Sequence, residues 1–159
     1  MKFIVASDNH GMQTPIDEIL RKHVDVDAFF HCGDSELPAS LLDRFICVCG
    51  NNDYVVDFPD WRIVQIENHR IFITHGHRFL YFGRIDLLVR KAKEEHCRFV
   101  FFGHTHTFFY QEMDGIHIIN PGSISHNRDG SKPSYAIVEI VDDQVLVERV
   151  NCKNKFHIE

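Results

Sequence analysis

The chain has 159 residues with a formal net charge of −6, and 44% of its residues are hydrophobic. That length suits one domain spanning 1–159 and is enough to bury a core without covalent staples. The acidic balance and the lack of any basic tract argue against binding bulk nucleic acid or a membrane surface through a positive patch. Five cysteines in no disulfide-type spacing indicate reduced thiols. The N-terminal MKFIVASDNHG turns polar too soon for a signal peptide, and no apolar run approaches the roughly 20 residues that span a bilayer. A soluble cytoplasmic protein is expected.

In chain order, Lys2–Ala6 is a short apolar run that predicts a buried strand. Thr14-Pro15 reads as N-cap and first helical residue, opening a helix whose Ile16, Ile19 and Leu20 share a face. Ala28–Cys32 is a second strand, Glu36–Arg44 a short helix, and Phe45–Cys49 a third strand. This βαβαβ rhythm predicts parallel strands with crossovers. Arg62–Glu67 and Arg70–Thr74 follow as strands joined at Asn68-His69. Arg84–Cys97 is a helix with Ile85, Leu88, Val89 and Ala92 at helical spacing, and Arg98–Phe102 is another strand. The last third is β-rich: Phe108–Glu112, Ile116–Ile119, Tyr135–Val141 and Val145–Val150, with turns at Asp114-Gly115 and Asp142-Asp143. Two packed sheets with helices outside are expected, an α/β sandwich.

Five polar blocks each follow an apolar run: Ser7-Asp8-Asn9-His10-Gly11, Gly33-Asp34-Ser35, Gly50-Asn51-Asn52-Asp53, His75-Gly76-His77 and Gly103-His104-Thr105-His106. Carboxyl ends of parallel strands share one rim, where ligands of open α/β sheets bind. Blocks distant along the chain can therefore converge. Alone, each is ordinary: an Asp after a strand caps a turn, and a His-x-His pair sits at a surface. Twelve histidines in one chain, with Asp, Asn or His at five strand ends, instead indicate divalent metal binding. Carboxylate and amide oxygens suit Mn²⁺ or Mg²⁺, and imidazoles suit Zn²⁺, Fe²⁺, Ni²⁺ or Mn²⁺.

The ordered blocks resemble those of the calcineurin-like metallophosphoesterase superfamily, D-x-H, G-D, G-N-H-[DE], H and G-H-x-H. The likeness is strongest to its small single-domain prokaryotic phosphodiesterases. It runs from Lys2 to about Val150 and includes Asn120-Pro121-Gly122-Ser123. It implies a four-layer α-β-β-α sandwich of two mixed sheets, and two divalent ions, with Mn²⁺ expected. Asp8, His10 and His106 would hold one ion, Asn51, His75 and His104 the other, and Asp34 would bridge them. The implied reaction is in-line attack of a metal-bridging hydroxide on a small phosphodiester. Asp34, Asn51, Asn52 and Asp53 are the residues expected to serve catalysis, Asp53 by orienting a ligand.

One departure stands out. The superfamily usually has His where this chain has Asn52, and an amide cannot deliver a proton. Activated aryl esters should therefore react far faster than alkyl ones. His77 and His126 are candidate substitute donors, and Arg78 a candidate phosphate contact. Phe79, Tyr81 and Phe82 would border a cleft or a partner surface, and an exposed aromatic patch there would favour a homodimer. The resemblance admits alternatives: a phosphomonoesterase or nucleotidase, a mononuclear metal protein, or a non-catalytic scaffold such as the superfamily relative in the retromer coat.

Overall fold

A computed structural model describes residues 1–54 and 56–152. It contains two five-stranded sheets, ordered β10-β9-β1-β2-β3 and β4-β5-β6-β8-β7. In the first, β1 (Lys2–Ala6), β2 (Ala28–His31) and β3 (Phe45–Cys47) run parallel, and β9 (Ser134–Val141) and β10 (Gln144–Asn151) add antiparallel at the β1 edge. In the second, β4 (Trp61–Ile66) forms a hairpin with β5 (His69–Thr74). β5 runs parallel to β6 (Phe99–Phe101) and β6 to β8 (Ile116–Pro121), while β7 (Phe108–Met113) is antiparallel to β8.

Strand alternation builds the layers. Phe3 and Val5 of β1 point into the core between the sheets, where they meet Phe30, Ile71, Ile73, Phe99, Phe101 and Ile119. Ile4 and Ala6 point the other way, onto Ile16 and Ile19 of α1 (Thr14–Lys22). In the second sheet Phe72, Val100 and Ile118 face outward onto Leu88, Val89 and Ala92 of α2 (Arg84–Glu94). Strands buried on both faces read as unbroken apolar runs, which is why they were legible. The order α1, sheet, sheet, α2 is the expected four-layer sandwich.

Several boundaries differ from expectation. Glu36–Arg44 is not an α-helix; only a 3₁₀ turn forms, at Ala39–Leu42. Pro38 bars the α region for Leu37, and Glu36 takes a positive φ of 54°. Thr14 lies inside α1 rather than capping it; Gln13 occupies the cap position without a side-chain cap hydrogen bond. The first hairpin turns at Glu67-Asn68, so His69 belongs to β5. Asp114-Gly115 and Asp142-Asp143 turn as expected, each with two successive positive φ values, the backbone of a type I′ hairpin.

Helix α2 stops at Glu94 rather than Cys97. The Cys97 N–H donates to the Ala92 carbonyl (2.8 Å) and the His96 N–H to the Lys93 carbonyl (3.2 Å), with His96 at φ 56°. This is a Schellman cap with a non-glycine residue in its left-handed position. His96→Gly should stabilise the fold by about 0.5–1 kcal/mol. The check is a higher urea midpoint at an unchanged m-value.

Candidate metal centre

The polar blocks meet at one rim. Five of their non-glycine residues hold positive φ: Asp8 (57°), His10 (45°), Asp34 (56°), His104 (70°) and His106 (54°). Non-glycine residues seldom adopt this region, and such strain gathers at functional sites. The loops carrying them are tied together by backbone. The Asp8 N–H donates to the Gly33 carbonyl (3.0 Å), that of His10 to Asp34 (3.1 Å) and that of Gly11 to Ser35 (2.8 Å).

Asp8 is fully buried. Its Oδ2 accepts from Ser7 Oγ (2.6 Å) and the His104 N–H (3.1 Å). Its Oδ1 has no hydrogen-bond partner. That oxygen lies 3.2 Å from His106 Nε2 and 3.8 Å from both His10 Nε2 and His75 Nε2. Burial works against the Asp8 charge, but the neighbouring imidazoles of His106 and His75, with Ser7, hold its carboxyl below the usual range.

Around this oxygen the imidazoles present bare nitrogens. His106 Nδ1 donates to the His126 carbonyl (3.0 Å) and His10 Nδ1 to Glu36 Oε2 (3.0 Å), leaving their Nε2 atoms facing each other at 3.1 Å. His75 Nδ1 donates to the Cys32 carbonyl (2.7 Å). Its Nε2 faces Asn51 Oδ1 (2.9 Å) and Asp34 Oδ2 (3.3 Å). Burial lowers the His75 pKa while the Asp34 contact raises it, and the net shift is upward. A proton and a cation compete for that nitrogen. An outer N–H anchored on a carbonyl or carboxylate is how a metal-binding imidazole is oriented. Two groups, Asp8-His10-His106 and Asp8-Asp34-His75, bring their ligand atoms within 4.8 Å of one another. A buried carboxylate oxygen without a donor among converging lone pairs fits divalent cations.

Asp8 is common to both groups, and its Oδ1 is the oxygen that faces His10, His75 and His106. Asp34 faces the second group. Its Oδ1 accepts the Asn52 N–H (2.8 Å) and its Oδ2 accepts Asn52 Nδ2 (2.9 Å). Burial opposes its charge, but His75 and Asn52 hold its pKa well below the usual range. Asn52 thus braces Asp34 instead of standing free toward a leaving group. Asp53 Oδ2 accepts the N–H groups of Asp34 and Gly50 (2.8 Å each), and its Oδ1 accepts that of Glu36 (2.9 Å). The Asp53 carboxylate therefore locks the second and third blocks together.

His104 lies beside His75, with ring centroids 5.2 Å apart, and burial together with the His75 charge pushes its pKa down to about 4. The His77 ring is 5.3 Å from that of His75, and its Nδ1 is buried without a partner. His126 contributes backbone groups, its carbonyl to His106 and its N–H to Ser123 Oγ (2.9 Å), and the residue is exposed. Arg78 pairs with Asp60 (3.1 Å) at the surface.

Other supporting residues were not singled out from sequence. Ser123 and Ser125 both donate to the Asp8 carbonyl (2.7 and 2.8 Å). Asn120 Nδ2 donates to the Gly103 carbonyl (2.9 Å) and to Thr105 Oγ1 (3.0 Å). His31, fully buried and pushed down to about 4 by that burial, donates from Nε2 to Asn9 Oδ1 (2.8 Å) and accepts the Gly33 N–H (3.1 Å). The Asn120–Ser123 stretch was visible only through the resemblance, and His31 gave no signal because it ends an apolar strand.

Residues 1–143 match the model of the calcineurin-like phosphoesterase superfamily domain. The chain is 33% identical over 150 residues to the probable metallophosphoesterase YsnB of Bacillus subtilis, covering 92% of this chain and 89% of that protein. It is 27% identical to the phosphodiesterase YfcE of Escherichia coli K12, over 94% of this chain and 97% of that one. A crystal structure of a Streptococcus pneumoniae protein described as a predicted phosphoesterase superposes with a TM-score of 0.86 at 34% identity, covering 94% of this chain and 88% of that chain. Vps29 from Entamoeba histolytica shares the fold at 22% identity and a TM-score of 0.74, over 96% and 100% of the two chains. The chain belongs to the calcineurin-like phosphoesterase superfamily.

Proposed function

We propose that this protein is a metal-dependent phosphodiesterase acting on small phosphate diesters. The observation that carries the reading is the convergence of Asp8 Oδ1 with the Nε2 atoms of His10, His75 and His106, where no donor serves the buried oxygen. Two divalent cations, with Mn²⁺ preferred, would be held by Asp8, His10 and His106 and by Asn51, His75 and His104, with Asp34 between them. When bound, such ions lower the pKa of a water and neutralise phosphoryl charge.

The chain's own residues set the geometry. Glu36, Cys32 and His126 aim the three imidazoles through their outer nitrogens. Asn52 holds both oxygens of Asp34, and Asp53 holds the Asp34 amide. His77 and His104 both have lowered pKa values from burial and the His75 charge. Both are biased toward the neutral imidazole, a poor acid, so neither is poised to protonate the leaving group. Rates should fall steeply as leaving-group pKa rises across a series of methyl aryl phosphates. A flat series would contradict this account.

Every position that the resemblance assigns to a ligand holds a competent residue, which favours an enzyme over a scaffold on the same fold. The test is metal-stripped protein reloaded with Mn²⁺, Mg²⁺, Zn²⁺, Ni²⁺ or Fe²⁺. Bis(p-nitrophenyl) phosphate and p-nitrophenyl phosphate serve as diester and monoester. The diester should be turned over faster. Asp34→Asn should lose more than about 100-fold, because even residues behind a metal ligand contribute 10–100-fold. Equal rates for wild type and Asp34→Asn would remove the proposed chemistry. A faster monoester would make the protein a phosphomonoesterase.

A further inference from the structure

A cavity of about 570 Å³ opens beside His104, a volume suited to a small organic ligand and several times that of a phosphate. Phe102 and Phe109 line it, as does Tyr81, which is 79% exposed. Arg84 and Arg128 also line it. Among the described residues neither arginine has a carboxylate within ion-pair distance. Arg84 Nε reaches only the Phe79 carbonyl (3.4 Å), with its guanidinium 6.0 Å from the Tyr81 ring centre. Arg128 bonds the His106 carbonyl through its backbone N–H (2.8 Å), and its side chain hydrogen-bonds to none of the described residues. Asp86, exposed on the first turn of α2, is the one carboxylate at the rim.

Two unpaired guanidiniums on one cavity, in a chain of net charge −6, make a local site for an anion. The aromatic lining adds a surface on which a flat ring can stack. His104 lines the cavity, and its ring lies 5.2 Å from that of His75 in the metal centre. One ligand can therefore place a reacting phosphate at the centre, its ring in the cavity and a second anion on the arginines. We propose that the cavity is a substrate subsite that takes a nucleotidyl group bearing a second phosphate, the base against Tyr81 and the phosphate between Arg84 and Arg128. This rests on the phosphodiesterase reading for its place in the reaction, but not for binding.

Two p-nitrophenyl esters of thymidine 5′-phosphate test it, one with a free 3′-hydroxyl and one with a 3′-phosphate. The reacting phosphorus and leaving group are identical, so a difference in KM reports the second phosphate. KM should be about tenfold or more lower for the 3′-phosphate ester, the scale of a charge-assisted contact. The advantage should collapse in the Arg84→Gln/Arg128→Gln double variant. Calorimetry with thymidine 3′,5′-bisphosphate on metal-stripped protein gives a readout without turnover, and the double variant should bind about tenfold more weakly. Arg128→Gln alone, on an exposed loop, carries the test if the double variant does not fold. Arginine-dependent bisphosphate binding without hydrolysis of either ester would support the subsite and sink the phosphodiesterase reading. Hydrolysis of both esters with equal KM, and bisphosphate affinity unchanged in the variants, would overturn the subsite and leave that reading standing.

Discussion

Asp8→Asn is expected to abolish metal-dependent hydrolysis while making the metal-free protein no less stable. The two effects have one source. Asp8 is fully buried, and its Oδ1 lacks a donor, a condition that costs about 1–3 kcal/mol in an uncharged group and more in a carboxylate. An asparagine can keep an oxygen toward Ser7 Oγ and the His104 N–H, and turn its amide toward the bare Nε2 of His106, 3.2 Å from the present Oδ1. The charge that would draw a cation to both groups is then gone. Activity should fall by at least about 10³-fold, or about 4 kcal/mol of transition-state stabilisation. Thermal melts with and without Mn²⁺ provide the second measurement. The wild type should gain stability on addition of metal through binding to the native state. The variant should show no gain and a metal-free midpoint at or above that of wild type. A variant that melts lower without metal and still responds to Mn²⁺ would show that Asp8 serves packing instead.

The second large effect comes from a backbone position. A Cβ placed on Gly50 would collide with Asp34 Oδ1 and stand 2.5 Å from the Asp34 amide nitrogen. Asp34 cannot yield easily, because Asp53 grips its amide and Asn52 grips both carboxylate oxygens. Gly50→Ala should therefore shift Asp34 by a fraction of an ångström to an ångström without unfolding the chain. Displacements of that size cost about 100-fold in rate, and forced overpacking about 1–3 kcal/mol in stability. The comparison to make is kcat on bis(p-nitrophenyl) phosphate against the urea midpoint. Wild-type kcat in Gly50→Ala would mean that the third block does not press on Asp34. Gly103→Ala should behave similarly, since its Cβ would meet Ser7 Oγ and come within 2.7 Å of Asp8 Oδ2.

The layers and the rim were legible in the sequence for a physical reason. Strands buried on both faces must be apolar throughout, so the first polar residue marks where the chain leaves the sheet. Asp8, Asp34, Asn51, His75 and His104 all follow such ends closely. Less was legible where the decisive partner was remote. Nothing near Asn52 reveals that its amide reaches back 18 positions to Asp34, though both blocks were visible. At 36–44 Leu37-Pro38 stands against the helix, since proline bars the α region to the residue before it. Arg84 read as the start of a helix and Arg128 as loop, and only the fold brings both to one cavity beside His104. The return of β9 to pair with β1 places Ser123 and Ser125 beneath Asp8, more than 100 positions away.

The centre straddles the seam between two independent sheets. Asp8, His10, Asp34 and Asn51 ride on loops of one, and His75, His104 and His106 on loops of the other. Among the described residues no strand hydrogen bond crosses that seam; edge-to-face rings do, such as Phe30 against Phe101 with centroids 5.1 Å apart. The spacing of the two ligand sets is therefore governed by how the leaves slide over one another, and a cation engaging both would act as a clasp at one edge. A change of volume deep between the leaves, at Phe30 or Phe101, should therefore be felt at the clasp.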